Sequence, residues 1–236
     1  MGLEIARLMA AAGASVIVAA RSKDKLDALA AEIGGRALVV DVADPASIDA
    51  AAEAAGTPDI LVNVSGMNIR KRFEDFTPEE YKLMLETNLN GLVRLTQKIG
   101  PKMVARGQGG KIINIGSLMS ILGLPYLSVY AITKGALAQL TKALAAEWAP
   151  YNIQVNCIAP GFIVTDFSHE LWQRQDMLDW LKGCQANPEP GRPEDVAPLA
   201  VFLAGRGSDY ITGQVIAVDG GFTTTARWPY TPPENE

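Results

Sequence analysis

Six short apolar runs, set apart by longer segments of helical character, constrain this chain more than any other feature. They are "SVIVAA", "RALVVDV", "DILVNVSG", "KIINIG", "IQVNCIAPG" and "GQVIAVDGG". Strands so apolar and so little alternating need cover on both faces, which places them in the middle of a parallel sheet. Between them "GLEIARLMAA", "SKDKLDALAAEIG", "PASIDAAAEAAG", residues 78–103, residues 125–149 and residues 193–203 read as helices, with Gly, Pro or Asp at the junctions. Strand and helix in alternation predict a doubly wound α/β fold, a mostly parallel sheet with helices on both faces. The 236 residues suffice for one domain, and no linker or internal repeat divides them. The tail, residues 225–236, is rich in Pro and polar residues, which suits either local disorder or docking on a neighbour.

Composition removes several function classes. A net charge of −5 and a pI near 5.1 argue against a nucleic-acid partner, because phosphate affinity rests on clustered Lys and Arg. Cys157, Cys184 and His169 are the only residues of their types, so no zinc-ligand spacing exists and no metal is expected. Two thiols without a disulfide framework suit a reducing compartment, the cytoplasm. Glu4 interrupts the basic region that a secretion signal requires, and no apolar run approaches the ~18 residues of a membrane span. Neither secretion nor a membrane partner is expected.

The chemistry is carried by "GS" at 116–117 and "YAITK" at 130–134. A tyrosine hydroxyl titrates near pH 10, so it needs a neighbouring cation to act as a base at neutral pH. Positions i and i+4 share a helix face, which sets Lys134 beside Tyr130. Ser117 follows an apolar strand, where the carboxyl ends of parallel strands open onto a binding crevice, and its hydroxyl is placed to donate to a substrate oxygen. A Tyr-x-x-x-Lys pair alone is equally an ordinary surface helix. Its order with the surrounding motifs sets this one apart.

Those motifs are "NVSG" at 63–66, "TNLNG" at 87–91, the serine and Tyr-x-x-x-Lys segments, "PGFIVT" at 160–165 and "ITGQVIAVDGG". In that order they resemble the short-chain dehydrogenase/reductase family, from Gly2 to about Thr224. The resemblance implies a dinucleotide-binding enzyme in which Tyr130 is the general acid/base and Ser117 polarises the substrate carbonyl. It also implies that Lys134 lowers the tyrosine pKa and holds the ribose, and that Asn88 places a water in the proton relay. Asn88 reads equally as a cap or a backbone-satisfying residue. Cofactor contacts are expected from Gly2, Arg21, Ser22, Asp41, Val42, Asn63, Gly66, Tyr130, Lys134, Pro160, Gly161, Ile163 and Thr165. Val64 and Ser65 depart from the family's Asn and Ala. The segment 166–190 is the expected substrate lid, with Phe167, His169, Trp172, Gln173 and Trp180, and a homotetramer is the expected assembly.

After the "SVIVAA" strand, an NAD site places a carboxylate on the ribose 2′-hydroxyl, whereas a 2′-phosphate calls for an arginine. Ala20 stands at the acidic position and Arg21 follows, so NADP(H) is favoured over NAD(H). The small-molecule substrate is less defined. "SGMNIRKRFEDF" resembles family members acting on sugar acids such as gluconate, with Arg70, Lys71 or Arg72 facing a carboxylate, while a solvated charge run is the simpler account and a 3-oxoacyl-carrier-protein reductase stays open. Gly2 aligns with the last glycine of the family's glycine-rich turn, so the first strand and most of that turn are expected to lie upstream of this sequence. The absent strand would sit between "SVIVAA" and "DILVNV". A homologue that keeps the scaffold without effective cofactor binding is therefore the alternative function.

Overall fold

The computed structural model describes residues 1–166 and 168–224. The expected C-terminal tail, 225–236, and Phe167 of the lid lie outside the described residues. The chain alternates as read: α1 (Gly2–Ala11), β1 (Ile17–Ala20), α2 (Lys23–Ile33), β2 (Arg36–Val39), α3 (Pro45–Ala55) and β3 (Ile60–Asn63). There follow α4 (Pro78–Leu85), α5 (Gly91–Arg106), β4 (Gly110–Ile115), α6 (Ser128–Trp148) and β5 (Ile153–Pro160). The segment 166–190 contributes α7 (His169–Trp172) and α8 (Gln175–Cys184), and α9 (Pro193–Ala204) and β6 (Val215–Val218) close the fold.

Every strand pairing is parallel. The ladder is divided, however, into a pair β1–β2 and a four-stranded sheet in the order β3-β4-β5-β6. Among the described residues the outer edge of β1 and the facing edge of β3 have no ladder partner, as the placement of a strand between them anticipated. Side-chain packing holds the two sheets together. Helix α1 buries Ile5 and Met9 against Ile113, Ile115 and Ile158 of the larger sheet and against Val196, Ala200 and Leu203 of α9. Its Ala6 packs with Val18, Leu26 and Leu29 beneath the smaller sheet. Ladder bonds that cross-link neighbouring strands in an unbroken sheet are here replaced by apolar burial along one helix, a non-directional attraction.

The segment expected as one helix over 78–103 is divided. Thr77 and Glu80 form a capping box and Pro78 sits at the first turn, which explains the start of α4. At Glu86–Asn90 one turn widens to π geometry, with the Gly91 N–H bonded to the Glu86 carbonyl. No local propensity in "ETNLN" demands this. It coincides with Asn88, whose side chain is engaged outside the helix, and single π turns are frequent at functional sites. Helix α5 then starts on Gly91, where a Cβ would stand 2.0 Å from the Val42 carbonyl oxygen. Only glycine permits that approach. The segment expected over 125–149 starts later, at Ser128, because Tyr126 adopts φ 66 and the preceding loop is irregular.

Candidate active site

The carboxyl ends of β3, β4 and β5 converge on one crevice. Ser117 lies just beyond β4 as the N-cap of a 3-10 turn, Leu118–Ser120. Its Oγ accepts from the Met119 N–H at 3.2 Å, and the Ser120 hydroxyl accepts from the Ser117 N–H at 3.2 Å. Ser120 in turn donates to the Lys134 carbonyl at 2.9 Å, fastening the serine turn to α6. An accepted bond leaves the Ser117 proton available for donation.

Tyr130 is half-buried near the start of α6 and in hydrogen-bond reach of Ser117. Burial raises its phenol above the ordinary tyrosine range, and the Ser117 hydrogen bond and the charge of Arg70 act in the opposite direction. Lys134 Nζ stands 5.8 Å from the Tyr130 ring centre, so the helical spacing brings the pair together as read. The ammonium itself is deeply buried and donates to the Ile115 carbonyl at 2.8 Å. Burial holds its pKa down to about 8, with the neighbouring Cys157 sulfur pulling upward. The charge of Arg70, a residue that the spacing argument did not assign to that task, also draws the phenol downward. A Cβ at Gly66 would lie 3.3 Å from Lys134 Nζ and 3.6 Å from Asn88 Oδ1, so the bare glycine keeps the approach to the lysine open.

Asn88 is fully buried. Its Oδ1 accepts from the Met67 N–H at 2.7 Å, and its Nδ2 donates to the Met67 carbonyl at 2.8 Å and the Thr133 hydroxyl at 3.3 Å. The side chain is spent on fixing the loop after β3 against α6, the backbone-satisfying role. Asn63 is likewise turned inward. Its amide donates to Asn114 Oδ1 at 2.9 Å and to the Thr96 hydroxyl at 3.1 Å, and Asn114 donates to the Thr141 hydroxyl at 2.9 Å. This buried network ties β3 to β4 and both to α5 and α6. Asn114 was not singled out by the sequence, although a polar residue inside "KIINIG" was a visible signal.

The remaining residues of the expected cofactor set lie at the start of α1 and beyond the ends of β1, β2 and β5. Gly2 opens α1 with its Cα face 3.4 Å, by a notional Cβ, from Val64 Cγ1, which sets the helix N-terminus beside the loop after β3. Arg21 and Ser22 are exposed at the end of β1. Among the described residues Arg21 makes no ion pair, and the Ser22 hydroxyl is not used to cap α2, whereas Lys23 is bound to Asp27. Asp41 accepts from the Ala43 N–H at 2.9 Å, shaping the turn that carries Val42. Pro160 ends β5, the Gly161 N–H donates to the Val218 carbonyl at 2.9 Å, and Ile163 bridges to Gly191. The Thr165 N–H donates to Ser168 Oγ at 3.0 Å. Trp172 of α7 and Trp180 of α8 are held to this segment by aromatic contacts. The Phe162 ring lies 5.5 Å from Trp172, 5.3 Å from Trp180 and 4.9 Å from Phe222, each edge-on.

Among the described residues there is no cluster of metal-ligating side chains, and no helix is long and apolar enough to cross a membrane.

Residues 1–223 match the family model described as enoyl-(acyl carrier protein) reductase. The chain is 35% identical over 236 residues to gluconate 5-dehydrogenase of Gluconobacter oxydans, covering 95% of this chain and 91% of that protein. It is 40% identical over 230 residues to 2-dehydro-3-deoxy-D-gluconate 5-dehydrogenase of Bacillus subtilis, covering 94% and 90%. Among solved structures, a gluconate 5-dehydrogenase from Burkholderia cenocepacia in complex with NADP and tartrate superimposes with a TM-score of 0.90 at 36% identity, covering 95% of this chain and 91% of the other.

Proposed function

The chain belongs to the short-chain dehydrogenase/reductase family, and on that premise we propose that it is an NADP(H)-dependent oxidoreductase interconverting a secondary alcohol and a ketone on a small polyhydroxylated substrate of the sugar-acid kind. The observation that carries this reading is the convergence of Ser117, Tyr130 and Lys134 at the carboxyl end of β4. Relatives named as dehydrogenases over nearly the whole chain favour catalysis over a scaffold that cannot hold cofactor.

The residues present fit a phosphorylated dinucleotide. Arg21 and Ser22, with no competing ion pair or cap among the described residues, suit a 2′-phosphate at the end of β1. The N-terminus of α1 favours the pyrophosphate through its unpaired N–H groups and macrodipole. Asp41 and Val42 border the adenine side, and the open face at Gly66 leads to Lys134, whose second and third ammonium protons suit ribose hydroxyls. Pro160 to Thr165 form the wall on the nicotinamide side. NADP(H), when bound, supplies or accepts the hydride at the substrate carbon.

Tyr130 moves the accompanying proton. In oxidation it takes the proton from the substrate hydroxyl, and in reduction it returns one to the oxygen that becomes the alcohol. The Ser117 hydroxyl donates to that same oxygen and steadies the charge that builds on it. Arg70 and the Ser117 hydroxyl favour the phenolate against the cost of burial. Asn88 holds Met67 and Thr133 so that the crevice keeps its shape. The 166–190 segment acts as the lid, its Trp172 and Trp180 closing over Phe162 and excluding water. The reading also includes a homotetramer and a cytoplasmic location, the latter supported by two unpaired cysteines.

The experiment is steady-state turnover and cofactor titration on the purified protein. Tyr130→Phe should lower turnover by about 10²- to 10⁴-fold, the range for loss of a positioned proton donor, with NADP(H) affinity within about two-fold. Arg21→Ala should remove most of the preference for NADPH over NADH. Retained turnover in Tyr130→Phe would refute the mechanism.

A further inference from the structure

Ser117 is the first residue off the sheet. The Gly116 N–H makes a last bond to β5, at 2.7 Å to the Ile158 carbonyl, and the next N–H, that of Ser117, is taken by the Ser120 hydroxyl at 3.2 Å instead of by a strand. The 3-10 turn that follows, Leu118–Ser120, is a short piece with little hydrogen bonding of its own to hold it in place. Its Leu118 and Met119 are buried, which decides the face that the turn presents to the core. Apolar packing is non-directional, however, and leaves the position of the turn along α6 open.

One side chain closes that freedom. The Ser120 hydroxyl donates its single proton to the Lys134 carbonyl at 2.9 Å while accepting from the Ser117 N–H, so a hydrogen-bonded path runs from the Ser117 backbone to α6, at a point four residues from Tyr130. Lys134 is held at its other end too, its ammonium donating to the Ile115 carbonyl at 2.8 Å. The two bonds bracket Ser117, one on the strand before it and one on the turn after it. The hydroxyl also has little room to turn away. A Cβ at Gly116 would stand 2.6 Å from Ser120 Oγ and 2.6 Å from Cys157 Sγ, so those two groups fill the place that a side chain at 116 would take.

Resting on the oxidoreductase reading above, we infer that Ser120 is a positioning residue of the reaction, whose hydroxyl locks the Ser117 turn to α6 and thereby sets the separation between the Ser117 hydroxyl and the Tyr130 phenol. Both of those groups must meet one substrate oxygen, so a shift of the turn along α6 withdraws a donor from it even with every catalytic group present. Ser120 acts through Ser117 and not on the substrate, because its one proton is already spent on α6.

The test uses NADP⁺ and whichever of D-gluconate, D-galactonate, D-sorbitol and galactitol the unaltered protein oxidises fastest. Ser120→Ala should lower kcat by about 10- to 100-fold with KM and NADPH affinity within about three-fold, the pattern of an interaction lost in the transition state. Ser120→Thr, which keeps the hydroxyl, should recover at least about three-fold of that loss. In a Ser117→Ala background the further change to Ser120→Ala should cost less than about two-fold, since the group it positions is gone. Ser208→Ala is the control for a merely structural hydroxyl. Ser208 is buried near the opposite end of β4, bonds the Leu203 and Gly205 carbonyls at 2.8 and 2.9 Å, and its loss should leave kcat within about two-fold. Native-state exchange gives a readout apart from turnover, in which the Ser117 amide of Ser120→Ala should exchange at least about ten-fold faster while that of Ile113 is unchanged. Equal losses with and without the Ser117 hydroxyl, or a loss in Ser120→Ala no larger than in Ser208→Ala, overturn the positioning role and leave the oxidoreductase reading intact. Failure of the unaltered protein to oxidise any of the four, although it binds NADPH, overturns both.

Discussion

At the residue scale, the spacing of Tyr130 and Lys134 was enough to place both groups in one site, but not enough to distribute their work. Burial is a property of what packs around a side chain, and it draws the Lys134 ammonium down to about 8 while raising the Tyr130 phenol. Among the described residues Lys134 is faced by the Tyr130 ring, the Cys157 sulfur and the Ile115 carbonyl, none of them a permanent anion. A lysine depressed in the folded state binds fewer protons than the unfolded chain between about pH 8 and its ordinary value of 10.5. Stability therefore rises with pH across that window, and the cost of the buried charge is fully present below it. Lys134→Met should stabilise the fold at pH 7 by up to about 3 kcal/mol, less about 1 kcal/mol for the lost hydrogen bond. The gain should shrink as pH approaches 10. Urea melts of both proteins at pH 7 and pH 10 check this, and a constant difference would contradict it. Arg70 was visible in the sequence only as part of a charge run. Its influence on Tyr130 acts through space between residues sixty positions apart.

At the element scale, strands and helices followed from apolar runs and breakers, because those patterns are set by local chemistry. The π turn at Glu86–Asn90 was not legible, since it answers to the demand of Asn88 for Met67 and Thr133 rather than to its own sequence. The edges of the strands differ in a way that can be measured. β4 has ladder partners on both sides, whereas β1 and β3 each have one. Amides of Ile17–Ala20 and Ile60–Asn63 that face the division should exchange with deuterium at least about ten-fold faster than those of Ile112–Ile115, because they lack the second ladder. Equal protection in native-state exchange would mean that the division is closed in solution. The buried Asn63–Asn114–Thr141 network sets a lower limit on how far β3 can loosen, since parting it from β4 would leave several amide groups unpaired.

At the scale of the whole molecule, helix α1 is the element on which the arrangement depends, since it packs on both sheets at once. The outer surfaces of α4 and α6 carry exposed Tyr81, Leu83 and Ile132, and Tyr151 is exposed just beyond the end of α6. Apolar groups on long helices are surfaces that a second copy would cover, and multi-angle light scattering at micromolar concentration should report a tetramer. A monomer alone would remove the assembly from the proposed function. By itself the sequence determined the α/β alternation, the parallel sense of the strands and the identity of Ser117, Tyr130 and Lys134, because periodicity, turn residues and motif order are short-range or linear properties. Only the tertiary structure decided that Asn63 and Asn88 hold the framework, that Lys71 is spent on Glu80 while the charge of Arg70 acts on the Tyr130 phenol, and that the sheet is divided. Those outcomes turn on burial and on contacts between distant segments, and neither is written in the order of residues along the chain.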